Sequence, residues 1–270
     1  VRIARLDAES VERLIARFAA SALLLAIAGC ARSAGASGHW ATVNGHRLYY
    51  EIRGDGPPVV LLHAGGDDIQ RTFAAQLGPF SARHRVIALE QVGHGHTPDV
   101  RGPLTYTGML QDTVAVLRQL KVANADIIGL SDGGILALML AARHPELVRR
   151  VVASGANIDP SGLVPAAIER VRSMVGDSDP FGDKLGRLWL YSPKPEELSV
   201  DLLKTIQQPV LVMAGDQDLI TRQHTQLIYH SLPHGQLWIV PSTGHDTFAE
   251  QPATVNSAIL SFLDEGEARQ

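Results

Sequence analysis

A serine stands between two glycines in the stretch Gly129-Leu130-Ser131-Asp132-Gly133. This G-x-S-x-G spacing suits a nucleophile held on a sharp strand-to-helix turn, where side chains at either glycine would obstruct the turn. A serine hydroxyl attacks a carbonyl carbon only when a base takes its proton and a third group orients that base. A serine in such a place can instead simply cap the helix that follows, so the partners decide. In an open α/β sheet that presents the serine at the carboxyl edge of its strands, the acid and then the histidine follow it along the chain. Of the 11 histidines, His224, His230, His234 and His245 lie beyond the late apolar run Pro209 to Gly215. His224 and His230 fall in the helix-like "RQHTQLIYH", and His234 precedes the last strand-like run, "QLWIVP". His245 follows the carboxyl end of that run and shares an edge with Ser131. "MAGDQDLI" offers two acids. Asp216 adjoins Gly215 and suits the turn; Asp218 has more reach toward a histidine, with a structural turn aspartate as the alternative.

The oxyanion that such an attack creates needs two backbone N–H donors, each worth roughly 3 kcal/mol of transition-state stabilisation. One belongs to the residue after the nucleophile, Asp132. The other belongs to the loop His63-Ala64-Gly65-Gly66, whose small residues let the backbone approach a substrate. The Asp132 side chain has two readings. A carboxylate in the first turn of a helix interacts favourably with the macrodipole, by about 0.3–1 kcal/mol. It also makes a counter-charge for a cationic substrate group, worth roughly 3 kcal/mol before desolvation at about 5 Å and an effective dielectric near 20.

These residues need strands to carry them. "PVVLLH", "RVIALE", "ADIIGLS", "RRVVAS", "PVLVMAG" and "QLWIVP" are continuous apolar runs of strand length, as expected of a parallel sheet covered on both faces. "WATVNGHRLYYEIRG" reads as a hairpin turning at Asn44-Gly45. Helical patterns alternate with the strands: "TYTGMLQDTVAVLRQL", the nearly all-apolar "GGILALMLAARHPE", and "EQPATVNSAILSFLDE" at the end. The alternation predicts an open α/β sheet. Residues 159–208 break the rhythm with helix-like pieces and no strand, which predicts a helical cap between two core segments, 39–158 and 209–270. Within the cap, Phe181, Leu188, Trp189 and Tyr191 either pack it onto the sheet or line an apolar pocket, with Trp189 as the substrate-contact candidate. His94 and His96 flank Gly95, but no third ligand stands at suitable spacing, so they read as a solvated loop and no metal is expected.

The 270 residues are 45% hydrophobic with a formal net charge of -4 and no long basic run, which gives no nucleic-acid footprint. A single cysteine, Cys30, excludes an intramolecular disulfide. It ends "FAASALLLAIAGC", too short to span a bilayer but of the length of a signal-peptide core, with Arg13 and Arg17 upstream. Ile27-Ala28-Gly29-Cys30 resembles a bacterial lipobox. Residues 1–29 are therefore expected to be a signal peptide and 30–38 a lipidated cysteine with a flexible tether, giving an exported, membrane-anchored protein. Asp7, Glu9 and Glu12 depart from a basic leader; the rival is an ordinary amphipathic helix on a cytoplasmic protein.

From about His39 to Leu263 the chain resembles the α/β-hydrolases, through "LLHAGG", "LEQVGHGHT", "GLSDGG", "AARHPELVRRVV", "PVLVMAGDQD" and "GHDTFAEQP" in order. The resemblance implies a triad of Ser131, Asp218 and His245, oxyanion donors at Gly65 and Asp132, and no cofactor. It departs from the family at Ala64, where glycine is usual, and at Glu90, where aspartate is. "GLSDGG" followed by "SGANIDPSG" is most similar to the biphenyl-hydrolase-like branch, which includes esterases of amino-acid esters. The implied activity is hydrolysis of a small-molecule carboxylic ester. Lactone, amide or C–C cleavage on the same triad, and a non-catalytic binding protein on the same fold, are the alternatives. Serine at 131 argues against the aspartyl-ester chemistry of dehalogenases and epoxide hydrolases.

Overall fold

A computed structural model describes residues 37–264. Cys30, the apolar run before it and most of the expected tether lie outside the described residues.

Eight strands form one sheet: β1 (Ser37–Val43), β2 (His46–Arg53), β3 (Pro58–Leu62), β4 (Arg85–Leu89), β5 (Ala125–Leu130), β6 (Val148–Ser154), β7 (Val210–Gly215) and β8 (Gly235–Val240). Their order is β1-β2-β4-β3-β5-β6-β7-β8. β1 and β2 pair antiparallel, as do β2 and β4; the other neighbours are parallel. The β1–β2 turn falls at Asn44 and Gly45, both at positive φ (48° and 86°), the backbone that a two-residue hairpin turn demands. Each strand of the parallel region lies within a residue or so of its apolar run.

The continuous apolar runs follow from covering on both faces. Val60, Leu62, Ile87, Leu89 and Ile127 enter one apolar layer. Their strand neighbours Val59, Leu61, Val86, Ala88 and Ile128 enter the other. The first layer is closed by α2 (Tyr106–Gln119), α3 (Asp132–Arg143) and α7 (Arg222–Ser231), and the second by α1 (Ile69–Ser81) and α9 (Pro252–Asp264). α3 is buried from Asp132 to Ala141, which is why it reads as apolar all round. β8 is the exception. It is an edge strand and only partly covered despite its apolar sequence.

Between β6 and β7 the chain forms α4 (Pro165–Met174), α5 (Pro180–Tyr191) and the short α6 (Val200–Leu203), with no strand. α5 starts with Asp179 accepting from the Phe181 N–H, and its Leu185 and Leu188 join the first layer. A four-residue helix, α8 (Thr247–Glu250), follows β8. The sequence reading does not single out α1, although Asp68 caps it by accepting from the Arg71 N–H.

Candidate active site

Ser131 leaves the carboxyl end of β5 at φ 55° and ψ -117°, a strained conformation for a residue with a side chain. The surrounding backbone explains its glycines. A Cβ at Gly129 would overlap the Gly133 carbonyl. A Cβ at Gly133 would overlap the Leu62 carbonyl of β3, so the second glycine answers to the neighbouring strand and not to the turn alone. The Ser131 N–H donates to the Ser154 carbonyl of β6 at 2.8 Å, which pins the turn to the sheet. Its side chain makes no capping bond to α3, so the N-cap alternative fails.

His245 follows β8 and is buried. Its Nδ1 lies 2.6 Å from Asp218 Oδ1. A carboxylate accepts, so Nδ1 carries the hydrogen and Nε2 keeps its lone pair. Asp218 is itself held: Oδ1 accepts from the Ile220 N–H at 2.9 Å and Oδ2 from the Gly215 N–H at 3.2 Å. Burial works against the imidazolium, but the charge and hydrogen bond of Asp218, then Asp246 and Asp132, outweigh it. His245 is thereby held above its ordinary value of 6.5. Asp216 accepts instead from the Thr243 N–H and shapes the turn. The His245 loop is fixed by the Ser154–Thr247 hydroxyl pair at 2.9 Å and by Glu250, which accepts from the Gly244 N–H. Gly155, at φ 59° past β6, leaves room for the ring; a Cβ there would stand 2.7 Å from His245 Cε1. Asp67, pushed up to about 6 by burial, also feels the His245 charge.

The loop after β3 lies against the same turn. A Cβ at Gly65 would overlap Asp132 Oδ2 and stand 2.8 Å from Trp189 Cζ2, so Gly65 and Asp132 are in direct contact. The Ala64 N–H is taken by Thr72 Oγ1. His63 braces the loop: its Nδ1 donates to the Ala64 carbonyl at 2.8 Å and its Nε2 accepts from the Gln91 N–H at 3.0 Å. Both bonds need a neutral ring, and burial pushes His63 down to about 3. The sequence reading missed this brace, although the histidine stands in the loop it quotes.

Asp132 sits in the first turn of α3, where the helix-end reading places it, but neither reading anticipates its partners. Its carboxylate is buried and accepts from Tyr106 Oη at 2.8 Å and from Trp189 Nε1 at 3.0 Å. Burial raises its pKa, against the Trp189 and Tyr106 hydrogen bonds that lower it. Tyr106 was not legible as a site residue; an aromatic at the start of an amphipathic helix reads as core.

The other expectations divide. Phe181 packs edge-on against His94, ring centroids 5.1 Å apart, Leu188 is buried, and Tyr191 is 60% exposed. His94 corrects the solvated-loop reading: it is only 3% exposed, packed between His63 and Phe181, with Nδ1 donating to the Val92 carbonyl. Its apolar surroundings come from the cap, which spacing within the loop cannot reveal. His96 is the solvated member and stands 3.1 Å from Glu90. Among the described residues no group of three or more potential metal ligands occurs.

The alpha/beta hydrolase family profile matches residues 59–258. The chain is 30% identical over 245 residues to the human protein named serine hydrolase BPHL, covering 82% of this chain and 84% of that one. It is 26% identical over 267 residues to the 2-hydroxymuconate semialdehyde hydrolase of Pseudomonas putida, covering 83% and 93%. Among solved structures, the enol-lactonase of Burkholderia xenovorans LB400 superposes with a TM-score of 0.70 at 23% identity, covering 84% of this chain and all of that one. The chain belongs to the alpha/beta hydrolase family.

Proposed function

We propose that the chain is a serine hydrolase that cleaves carboxylic esters through an acyl-enzyme. Ser131 Oγ attacks the carbonyl carbon while His245 Nε2 takes its proton. The N–H groups of Asp132 and Gly65 receive the developing oxyanion. The carbonyl re-forms as the bond to the alcohol oxygen breaks, and His245 returns the proton to that oxygen. Water, deprotonated by His245, then attacks the acyl carbon and releases the acid and free Ser131. The observation that carries the reading is the pairing of Asp218 with His245 Nδ1 at 2.6 Å, in a chain whose strained serine lies on the same sheet edge. The name of the human relative supports serine chemistry.

Release of p-nitrophenol from short-chain esters by wild type and Ser131→Ala tests it. A loss of about 10⁴-fold or more on substitution is expected; equal or absent release from both overturns the ester reading. Cleavage of a C–C bond beside a ketone is the second reading, favoured by the Pseudomonas putida relative, and a semialdehyde of the kind in that protein's name is its probe. We also propose export and lipid attachment at Cys30, from the leader-like pattern before it. Cys30→Ala should move the protein out of the membrane fraction; an unchanged distribution overturns the anchor.

A further inference from the structure

The helix α5 meets the core through a stripe of residues spaced four apart. A Cβ at Gly93 would overlap the Phe181 ring. Leu185 Cδ1 would lie 3.6 Å from a Cβ at Gly66, and Trp189 Cζ2 would lie 2.8 Å from one at Gly65. Phe181 and Leu185 make these contacts with apolar atoms alone. Trp189 differs, because its indole N–H reaches the carboxylate of Asp132, 3.0 Å from each oxygen. The same carboxylate takes the hydroxyl of Tyr106, which is 1% exposed and belongs to α2 in the core. One buried acceptor thus ties a cap side chain to a core side chain, directly beside the nucleophile. A carboxylate already holding two donors is also poorly disposed to serve as the counter-charge for a substrate amine.

We propose that Tyr106 and Asp132 are positioning residues that fix the Trp189 indole as a wall against Gly65, and that this wall limits the acyl chain of the substrate. The inference rests on the ester-hydrolase reading above. The direction follows from the sheet order. His245 approaches Ser131 from the β6 side, where Gly155 gives it room, and it must protonate the leaving alcohol. The alcohol therefore lies toward β6. Gly65 and Trp189 stand on the β3 side, which leaves the acyl group facing the indole. A wall held by a hydrogen bond into the core sets a sharp length limit; one held by packing alone would give way to longer chains.

The test is the ratio of kcat/KM for p-nitrophenyl octanoate to that for the acetate. Trp189→Ala and Asp132→Ala should each raise the ratio by roughly tenfold or more, the scale at which pocket size discriminates methylenes. Asp132→Asn keeps Oδ1, which accepts from both donors, but turns an NH2 toward the Trp189 N–H in place of Oδ2, so it should raise the ratio by clearly less than the alanine. Tyr106→Phe should raise it by a smaller factor. A ratio unmoved by Asp132→Ala, or moved as far by Asp132→Asn as by the alanine, overturns the proposal. A second measurement needs no turnover. With Trp40→Phe and Trp238→Phe, Trp189 is the sole tryptophan of the three. Its quenching by acrylamide should rise in the Asp132→Ala background and rise less in the Asp132→Asn background. Equal quenching in all three overturns the positioning role even if the protein proves to hydrolyse no ester. Loss of ester release with the quenching pattern intact overturns only the ester reading.

Discussion

His245 titrates under opposing forces, and their balance is measurable. Burial favours the neutral ring, while the Asp218 carboxylate at 2.6 Å favours the imidazolium and prevails. In the proposed mechanism attack by Ser131 requires the neutral form, so kcat/KM should rise with pH and reach half its plateau above 6.5, the ordinary histidine value. Asp218→Asn removes the charge that stabilises the imidazolium, so the rise should move to lower pH. The same substitution should cut kcat by about 10⁴-fold, because an amide can donate to Nδ1 and stabilise the wrong tautomer. A pH profile that stays in place in Asp218→Asn would mean that another group supplies the base. His63 gives a contrast at the same scale: it is buried, held near 3, and engaged at both nitrogens, so it stays neutral across the working range and braces the loop that carries Gly65.

At the scale of elements, α3 meets the end of β3 at close range. Gly133 leaves no room for a Cβ against the Leu62 carbonyl, and a carbon there would also stand 2.8 Å from the His63 carbonyl. Gly133→Ala should therefore cost about 1–3 kcal/mol in a urea titration. It should also lower kcat/KM by up to roughly 10²-fold, because the displaced strand end carries the loop of Gly65. Gly78→Ala in α1 is the control. Its Cβ would meet nothing within 4 Å, so the change should stabilise by about 0.5–1 kcal/mol. Equal midpoints for the two variants would refute the packing argument. The same contrast marks what the sequence could reveal. Strands buried on both faces read as unbroken apolar runs, and a serine, an acid and a histidine at successive strand ends can be placed by counting along the chain. The partners of Asp132 could not be placed so, because Tyr106 and Trp189 come from α2 and α5, far apart along the chain, and meet only in the tertiary structure. His94 was misread for the same reason. Its loop is polar in sequence, and the Phe181 ring that covers it lies 87 residues away along the chain.

For the whole molecule, the sheet separates the chemistry from a second buried charge. β5 carries Ser131 just past its carboxyl end and Asp126 near its start. Five residues of extended chain hold them roughly 16 Å apart at about 3.3 Å per residue. Asp126 is fully buried and bonds the Arg149 guanidinium, with Nε at 2.8 Å from Oδ1 and a close Nη2 contact to Oδ2. Burial raises the Asp126 pKa despite Arg149, with Arg150 and His84 also acting to lower it. Arg149→Met would strand the carboxylate and raise its pKa further above the unfolded value of 3.8. Such a carboxyl binds more protons folded than unfolded, so stability falls as pH rises from the unfolded pKa toward the folded one. The variant should lose about 3–5 kcal/mol near neutral pH, the usual cost of breaking a buried pair, and less at pH near 5. Its kcat/KM at a temperature where it remains folded should stay within about twofold of wild type, since nothing at the carboxyl edge of the sheet changes. A large loss of turnover in folded Arg149→Met would show that the two edges are coupled through β5, and the sheet could no longer be treated as a rigid support for the site.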